Sequence, residues 1–259
     1  MLKKLIKYDF LWMNRNMVMI FVITAILSIL TRIASNLTGS VIGDLIFGIL
    51  RGFTIAAFAN TVINSAIRIW ERFRQSFYKD EAYLTHTLPV SKNTLYDSKV
   101  LSGLCAILLS LAVVIACFFI AFWNNDMYEY FRSVFKDGDM TFIVLGILVT
   151  AVLEVVYAVN VGMFSLTVGH RANNGRMIRS VILGIVLYFA LQSLLLGIIY
   201  GIGIFDDSVK AMFGDATDVV IGFSTYRTLI VVTDALYLAL IISLYFGGKK
   251  LFSKGVNVD

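Results

Sequence analysis

Three charged side chains lie inside long apolar runs of the sequence, away from the ends of the runs, where charge is rare. They are Arg51, Glu154 and Asp234. A charged residue at the centre of a spanning helix costs about 2.5–3.5 kcal/mol on the insertion scale if it faces lipid, so such residues face protein or water. Two interpretations stay open. Arg51 and Glu154 form a structural ion pair between helices, or the three residues line a polar path for a substrate.

Other patterns of catalytic chemistry are missing from the sequence. It has no G-x-x-x-x-G-K-[ST] loop for ATP phosphates, no H-E-x-x-H zinc motif and no G-x-S-x-G nucleophile turn. His86 and His170 fall in predicted loops, and the two cysteines, Cys105 and Cys117, share one apolar run. We therefore predict no catalytic residue, no metal site and no cofactor bound by this chain, and we do not expect an enzyme.

The composition identifies the environment that must position these side chains. Apolar residues make up 59% of the 259 residues and charged residues 15%, with a single proline. A soluble domain has about 45–50% apolar and about 25% charged residues, which it needs to cover its surface. A soluble enzyme core, a disordered chain, a disulfide scaffold and a nucleic-acid module are therefore excluded.

Six runs are long and apolar enough to cross a bilayer, which takes about 20 mostly apolar residues. The apolar residues are continuous within each run, so the sequence predicts helices, because only helices or closed barrels span membranes. The runs cover residues 17–33, 45–69, 100–123, 141–168, 181–205 and 228–246. The predicted fold class is all-α: a polytopic membrane protein with six transmembrane helices in a single transmembrane domain, residues 1–259.

The basic residues are unequally divided between the two ends of these runs. Sixteen of the 22 Lys and Arg residues fall on the side that carries both termini, and five fall on the other side. Cytoplasmic loops carry the excess of basic residues in membrane proteins. We therefore predict a multi-pass protein of the cell membrane with both termini cytoplasmic. The net charge of +5 is then a topology signal and does not indicate a nucleic-acid partner.

The first 15 residues precede the first run and combine apolar with basic side chains. Apolar residues recur at helical spacing and basic residues lie between them, a pattern typical of a helix in the membrane interface. The apolar set is Leu2, Leu5, Ile6, Phe10 and Met13, and the basic set is Lys3, Lys4 and Lys7. We predict an N-terminal interfacial helix over residues 2–15 in contact with membrane lipids. A simple anchor that sets the topology is the alternative.

The longest polar stretch, residues 69–99, lies on the cytoplasmic side of this topology. A connection between helices of a bundle takes about 2–8 residues, so the stretch is longer than a connector needs to be. An aromatic stripe at helical spacing consists of Trp70, Phe73 and Phe77. A short helix over residues 80–88 has Asp80 as its cap and stops at Pro89, and Ser91 caps the next helix. The stretch is either an ordered docking surface or a solvated linker.

Within this stretch the sequence resembles a known family. Residues 81–91 read EAYLTHTLPVS, and a lysine follows at position 99, at the start of the third run. Together they resemble a motif in the permease subunits of type-two ATP-binding-cassette exporters, above all those of Gram-positive bacteria. The opening KYDF at residues 7–10 and the turn VGH at residues 168–170 are similar to two further signatures of these permeases. Asp9, Ala82 and His170 replace the family's usual Glu, Gly and Gln.

The resemblance implies partner chains. In such exporters, separate ATPase subunits bind ATP and Mg and sit under two permease subunits, which are identical or different chains. A cytoplasmic coupling helix between spans two and three docks into each ATPase. In this sequence the resemblance assigns the docking to Asp80, Glu81, Tyr83, Leu84, Leu88 and Pro89.

The resulting functional prediction is the transmembrane permease subunit of an ATP-driven exporter, which moves a peptide or another amphipathic compound across the cell membrane. The alternative is a secondary transporter or channel that is not coupled to ATP. Broken helices and internal repeats are the usual marks of that class. The only proline lies outside the runs, and residues 1–123 and 124–259 show no repeat of each other. Both observations favour the permease.

Overall fold

The computed structural model describes residues 2–79, 81–172, 174–204 and 222–255. They form two compact units, the first ending at Glu129 and the second running from Tyr130 to Gly255. All regular elements in these ranges are helices, and six of the helices are long and apolar enough to cross a membrane. The predicted all-α fold with six candidate spans is therefore confirmed.

The first unit contains three long helices and one short one, and a further helix links it to the second unit. In chain order its helices are α1 (Leu2–Ala34), α2 (Val41–Tyr78), α3 (Ala82–Thr87) and α4 (Lys92–Phe122). The linking helix is α5 (Asn125–Lys136), which begins in the first unit and ends in the second. The second unit consists of α6 (Gly138–Gly169), α7 (Arg176–Gly203) and α8 (Phe223–Ser253).

The predicted N-terminal interfacial helix is not a separate element in the structure. Residues 2–15 are the first turns of α1, a helix of 33 residues in all, or about 50 Å at 1.5 Å per residue. No glycine or proline interrupts this helix, so the sequence provides no break between leader and span. Asp9, Met13 and Met17 are buried, so one face of the leader packs inside the unit. Contact of its other face with membrane lipids stays a prediction.

In the first unit, helix α1 packs against both α2 and α4, and α2 also packs against α4. Small hydroxyl side chains form hydrogen bonds across these contacts, as is common where helices approach closely in a membrane. The pairs, with their oxygen–oxygen distances, are Thr24 with Thr61 at 2.9 Å, Thr31 with Thr54 at 2.7 Å and Ser65 with Ser110 at 2.7 Å. Each hydroxyl therefore has a partner although it is buried among apolar residues.

The second unit is centred on α6, which packs against α7 and α8. Its buried core consists of Tyr157, Val161, Leu195, Tyr237 and Leu244. The chain returns from α6 to α7 through a close approach at Gly169. A Cβ atom there would lie 2.6 Å from the Cα and the backbone nitrogen of Ser180. Only glycine fits this position, and it fixes how α7 sits on α6.

Candidate functional site

Helix α3 is a single short helix between α2 and α4. It begins in a turn closed by a hydrogen bond of 2.7 Å from the Ala82 amide to the Lys79 carbonyl. It ends at Thr87 because Leu88 is extended, as the residue before a proline favours. Ser91 then caps α4 by accepting from the Thr94 amide, as predicted. Asp80, the predicted cap of the short helix, lies outside the described residues.

The two faces of α3 differ in exposure. Ala82 is fully buried, whereas Tyr83 is 75% exposed and Leu84 is 68% exposed. Leu88, which follows the helix, is also exposed. These large apolar side chains lie outside the predicted spans, and the protein core does not cover them. The predicted docking residues Tyr83, Leu84 and Leu88 therefore form an apolar surface.

Behind α3, a buried charge network joins the three long helices of the first unit. Asp9 of α1 accepts two hydrogen bonds at its Oδ1 atom, from Lys99 Nζ of α4 at 2.6 Å and from Arg72 Nε of α2 at 2.8 Å. Lys99 Nζ also donates to the Ser76 hydroxyl at 2.9 Å. Asp9 and Lys99 are buried, so these charges interact with little screening by water.

The network extends to the start of α3 through Glu81. The Arg72 guanidinium donates to Glu81 Oε2 at 2.6 Å while it also bonds Asp9. The side chain of Glu81 remains partly exposed. Glu81, a predicted docking residue, therefore ties the short helix to α2 and, through Arg72, to α1 and α4.

Aromatic rings surround this network. The Arg72 guanidinium carbon lies 5.0 Å from the centroid of the Trp12 ring, and Lys99 Nζ lies 5.8 Å from the Phe77 centroid. Phe73 and Phe77 are buried and stand edge to face, with centroids 5.0 Å apart. These two members of the predicted aromatic stripe belong to the interior of the unit. The docking interpretation is therefore limited to α3 and Leu88.

Asp9, Arg72 and Lys99 were not predicted as site residues. Asp9 and Lys99 supported only the family resemblance, and Arg72 and Lys99 were topology signals. Asp9 precedes Met13 by four residues and Met17 by eight, so the three lie on the same helix face, which is otherwise apolar at these positions. An acid on the apolar face of a basic helix requires a cationic partner when it is buried, and this signal was available in the sequence.

A second polar cluster lies in the middle of the second unit. The Tyr188 hydroxyl donates to Glu154 Oε1 at 3.2 Å, and Gln192 Nε2 approaches the same oxygen at 3.4 Å. Gln192 Nε2 also contacts the Tyr188 hydroxyl at 3.4 Å and the Tyr237 hydroxyl at 3.3 Å. The cluster therefore connects α6, α7 and α8. We call these residues, together with Tyr157, the Glu154 cluster.

Tyr157 completes the Glu154 cluster from the same helix as the carboxylate. Its ring stacks on Tyr188 with centroids 5.8 Å apart and packs against Tyr237 at 5.5 Å. The ring is buried, and its hydroxyl has no hydrogen-bond partner among the described residues. The tyrosines and Gln192 were missed in the sequence because their polar groups lie far apart along the chain and within apolar runs.

The other intramembrane candidates have separate surroundings. Asp234 of α8 accepts a hydrogen bond of 2.6 Å from the Thr150 hydroxyl of α6, one turn away from Glu154 and Tyr237. Arg51 is exposed on α2 in the first unit. A direct pair between Arg51 and Glu154 would join the two units and stays a prediction. The structure brings Glu154 and Asp234 together on neighbouring helix faces of one unit.

Comparisons with protein families, with curated proteins and with solved structures found no match for the chain. Within the described ranges, no group of three or more His, Cys, Asp and Glu side chains is arranged to hold a metal ion. Two features of the structure therefore bear on function: α3 with its charge network, and the Glu154 cluster.

Proposed function

We propose that this chain is the transmembrane permease subunit of an ATP-driven exporter and that α3 docks on a separate ATPase subunit, which binds ATP and Mg. The observation that carries the proposal is the exposed apolar pair Tyr83 and Leu84 on a short helix that is fastened at its start. Exposed apolar groups of this size outside the spans mark a partner surface. A helix that docks in a groove obtains most of its binding energy from a few such anchors.

The charge network supports a mechanical role for α3. Glu81 bonds Arg72, and Arg72 bonds Asp9, which also holds Lys99. A force on α3 is therefore transmitted to α1, α2 and α4 without a flexible linker. Closure of an ATPase pair on ATP would displace docked helices, and the spans would follow between inward-facing and outward-facing states. Such coupling requires contacts that differ between the two states.

An exposed face of α2 supports a second permease subunit as a partner. Gly48, Gly52 and Ala56 recur at every fourth residue and are exposed, followed by Asn60 at the same spacing. Small residues at this spacing allow two helices to approach closely in a membrane. The partner is a second copy or a related chain. The proposal places the complex in the cell membrane with both termini cytoplasmic, on the basis of the unequal distribution of basic residues.

A secondary transporter or channel that is not coupled to ATP is the alternative function. The Glu154 cluster favours it, because an ionisable residue within a spanning helix is by default a candidate for substrate or ion transfer. The two functions differ in their partners. An exporter permease retains an ATPase on purification, whereas an uncoupled transporter does not.

The Tyr83→Ala/Leu84→Ala double variant tests the docking surface. The tagged full chain is purified from membranes of its native host, and the ATP hydrolysis activity recovered with it is measured. We expect the ATP hydrolysis activity recovered with the variant to be at least tenfold lower, since two anchors of a docked helix together contribute more than about 1.4 kcal/mol. Insertion into the membrane should be unchanged, because both side chains lie outside the spans.

Tyr8→Ala/Leu11→Ala is the matched control. Tyr8 and Leu11 are 69% and 52% exposed on the leader turns of α1, which the topology places on the same side of the membrane as α3. This control should retain the recovered ATP hydrolysis of the wild type. Equal recovery with both double variants would identify α3 as a linker. Absence of ATP hydrolysis with the wild type would favour the uncoupled transporter or channel.

A further inference from the structure

The carboxylate of the Glu154 cluster forms no ion pair within the described residues of its unit. Glu154 is the middle residue of α6, about 24 Å along the helix from either end. Its described hydrogen bonds come from neutral donors, Tyr188 and Gln192. On α6, α7 and α8 the basic residues nearest along the chain are Arg179 and Arg227, at least nine residues from any member of the cluster. Asp234, one turn away, is not part of the cluster and accepts a hydrogen bond from the Thr150 hydroxyl.

The hydrogen bonds to Glu154 leave one side of the carboxylate open. Both donors bind Oε1, and Oε2 has no hydrogen-bond partner in the ranges that the structure describes. Glu154 is half-buried, and a carboxylate has acceptor sites on both oxygens. Glu154 can therefore accept hydrogen bonds from a group that enters the cluster.

The buried hydroxyl of Tyr157 is an independent sign of a missing contact. It has no partner in the described parts of the chain, although Tyr157 lies one turn from Glu154 on the same helix. Its ring packs on those of Tyr188 and Tyr237, whose hydroxyls hold Gln192. Buried phenol groups normally have a partner, and an exception requires an explanation such as a bound group.

The chemistry of the cluster selects its ligand. A single negative charge attracts a single positive charge, and the faces of the three tyrosine rings attract cations as well. The open carboxylate oxygen and the Tyr157 hydroxyl accept hydrogen bonds, so the ligand should donate them. A divalent metal ion prefers six or more oxygen ligands with more than one carboxylate, which the cluster does not supply. An anion is repelled by Glu154.

We propose that the Glu154 cluster is a binding site for a protonated amine, the ammonium group of a small organic molecule. Glu154 neutralises the charge, and Tyr157 accepts one of the N–H groups. The rings of Tyr157, Tyr188 and Tyr237, which pack against one another, form an aromatic wall beside the carboxylate. The site does not require an ATPase, so binding of an amine can be tested independently of the proposed docking on α3.

Binding to the purified full chain in lipid nanodiscs tests the proposal, with benzylammonium as the probe and isothermal titration calorimetry as the measurement. Benzyl alcohol, a neutral molecule of nearly the same shape, serves as the matched ligand, and empty nanodiscs give the background of partitioning into lipid. We expect benzylammonium to bind the wild type at least tenfold more tightly than benzyl alcohol. The difference arises from the charge of Glu154.

Three variants locate the binding. Glu154→Gln keeps an acceptor and should weaken benzylammonium at least tenfold while benzyl alcohol is unaffected. Tyr157→Phe removes only the unpartnered hydroxyl and should weaken benzylammonium severalfold. Asp234→Asn removes a carboxylate of α8 outside the cluster, which the Thr150 hydroxyl already binds, and should leave the affinity within twofold of the wild type.

Several results would overturn the proposal. They are no binding of benzylammonium to the wild type, equal binding of the ammonium and the alcohol, or an unchanged affinity in Glu154→Gln. Each would identify the cluster as a structural contact between α6, α7 and α8. Thermal unfolding of every variant is measured alongside, and Tyr157→Phe provides the test if Glu154→Gln does not fold.

Discussion

Each of the two units of this protein holds a carboxylate between its helices, buried at Asp9 and half-buried at Glu154, but the two carboxylates are stabilised in different ways. In the first unit, Asp9 is bound by two cationic side chains, Lys99 and Arg72. In the second unit, Glu154 is bound by the neutral groups of Tyr188 and Gln192. Opposite charges fix a buried carboxylate in one arrangement, whereas neutral donors leave its charge available to a ligand. The first arrangement suits a structural connection and the second suits a binding site.

The position of each carboxylate agrees with this difference. Asp9 lies near the start of α1 and connects to the end of α2, the start of α4 and, through Arg72, to α3. Glu154 lies at the middle of α6, and among the described residues its cluster connects α6 to α7 and α8. A change at Asp9 should therefore alter the stability of the first unit, and a change at Glu154 should alter what the second unit binds.

Neutralising Asp9 should lower the stability of the protein much more than neutralising Glu154. This is the largest effect we expect. Asp9→Asn keeps an acceptor but removes the negative charge with which the buried Lys99 ammonium is paired. Removing the charge of one partner of a buried ion pair costs about 3–5 kcal/mol because the other charge stays uncompensated. Glu154→Gln removes a charge that forms no ion pair within the described residues of its unit and keeps an acceptor, so we expect less than about 1 kcal/mol. Thermal unfolding of the purified full chain measures both.

Asp9→Asn/Lys99→Met is the control for the charge argument. Methionine approximates the length of lysine without its charge, so the double variant should recover most of the stability lost in Asp9→Asn. A double variant as unstable as the sum of its single variants would show that the charges act independently. A loss in Glu154→Gln as large as that in Asp9→Asn would contradict the contrast between the two units.

The binding role of the second unit also depends on the fixed placement of α7 on α6, which Gly169 allows us to test. In Gly169→Ala the new methyl group would lie 2.6 Å from backbone atoms of Ser180, so the helices must separate. We expect a loss of about 1–3 kcal/mol in stability, as for other overpacked contacts. The hydrogen bonds from Tyr188 and Gln192 to Glu154 would lengthen, so benzylammonium binding should weaken as well.

Gly197→Ala is the matched control on α7. A Cβ atom there meets nothing within 4 Å, and alanine favours a helix over glycine by about 0.5–1 kcal/mol. This variant should be as stable as the wild type or slightly more stable, with unchanged binding of benzylammonium. If Gly169→Ala behaves in the same way, the close approach at Ser180 does not hold the Glu154 cluster together.

The sequence predicted the elements of this fold well because they depend on local signals. Continuous apolar runs predicted six helices, and the Ser91 cap predicted where α4 begins. The merging of the leader with α1 was not predicted, because a basic amphipathic segment looks the same whether it lies on a membrane or continues into a span. In the structure the leader continues into α1 as one helix, and Met13 of the leader turns is buried.

The candidate sites were predicted only in part because they depend on contacts between distant segments. Exposed apolar residues of α3 could be identified, since they interrupt a polar stretch. The partners of Asp9 could not, because Arg72 and Lys99 are 63 and 90 residues away in the chain. Glu154 was recognised by its rarity, but the phenols around it are common residues of spanning helices. Spacing along one helix indicates a face and does not identify what that face meets.

The smallest effect we expect comes from the hydroxyl pairs of the first unit, and it tests whether charge or neutral bonds dominate there. Thr31→Val keeps the shape of the side chain and removes its hydrogen bond to Thr54, whose hydroxyl also lies 3.3 Å from the Leu27 carbonyl. Thr54 therefore keeps an acceptor. Hydrogen bonds between membrane helices contribute about 0.6 kcal/mol on average and about 1.7 kcal/mol at most. We expect a loss within that range, well below that of Asp9→Asn in the same thermal unfolding measurement. A loss of stability in Thr31→Val equal to that in Asp9→Asn would mean that neutral hydroxyl pairs hold α1 to α2 as strongly as the ion pairs do. The first unit would then stabilise its polar groups mainly through neutral hydrogen bonds, as the second unit does.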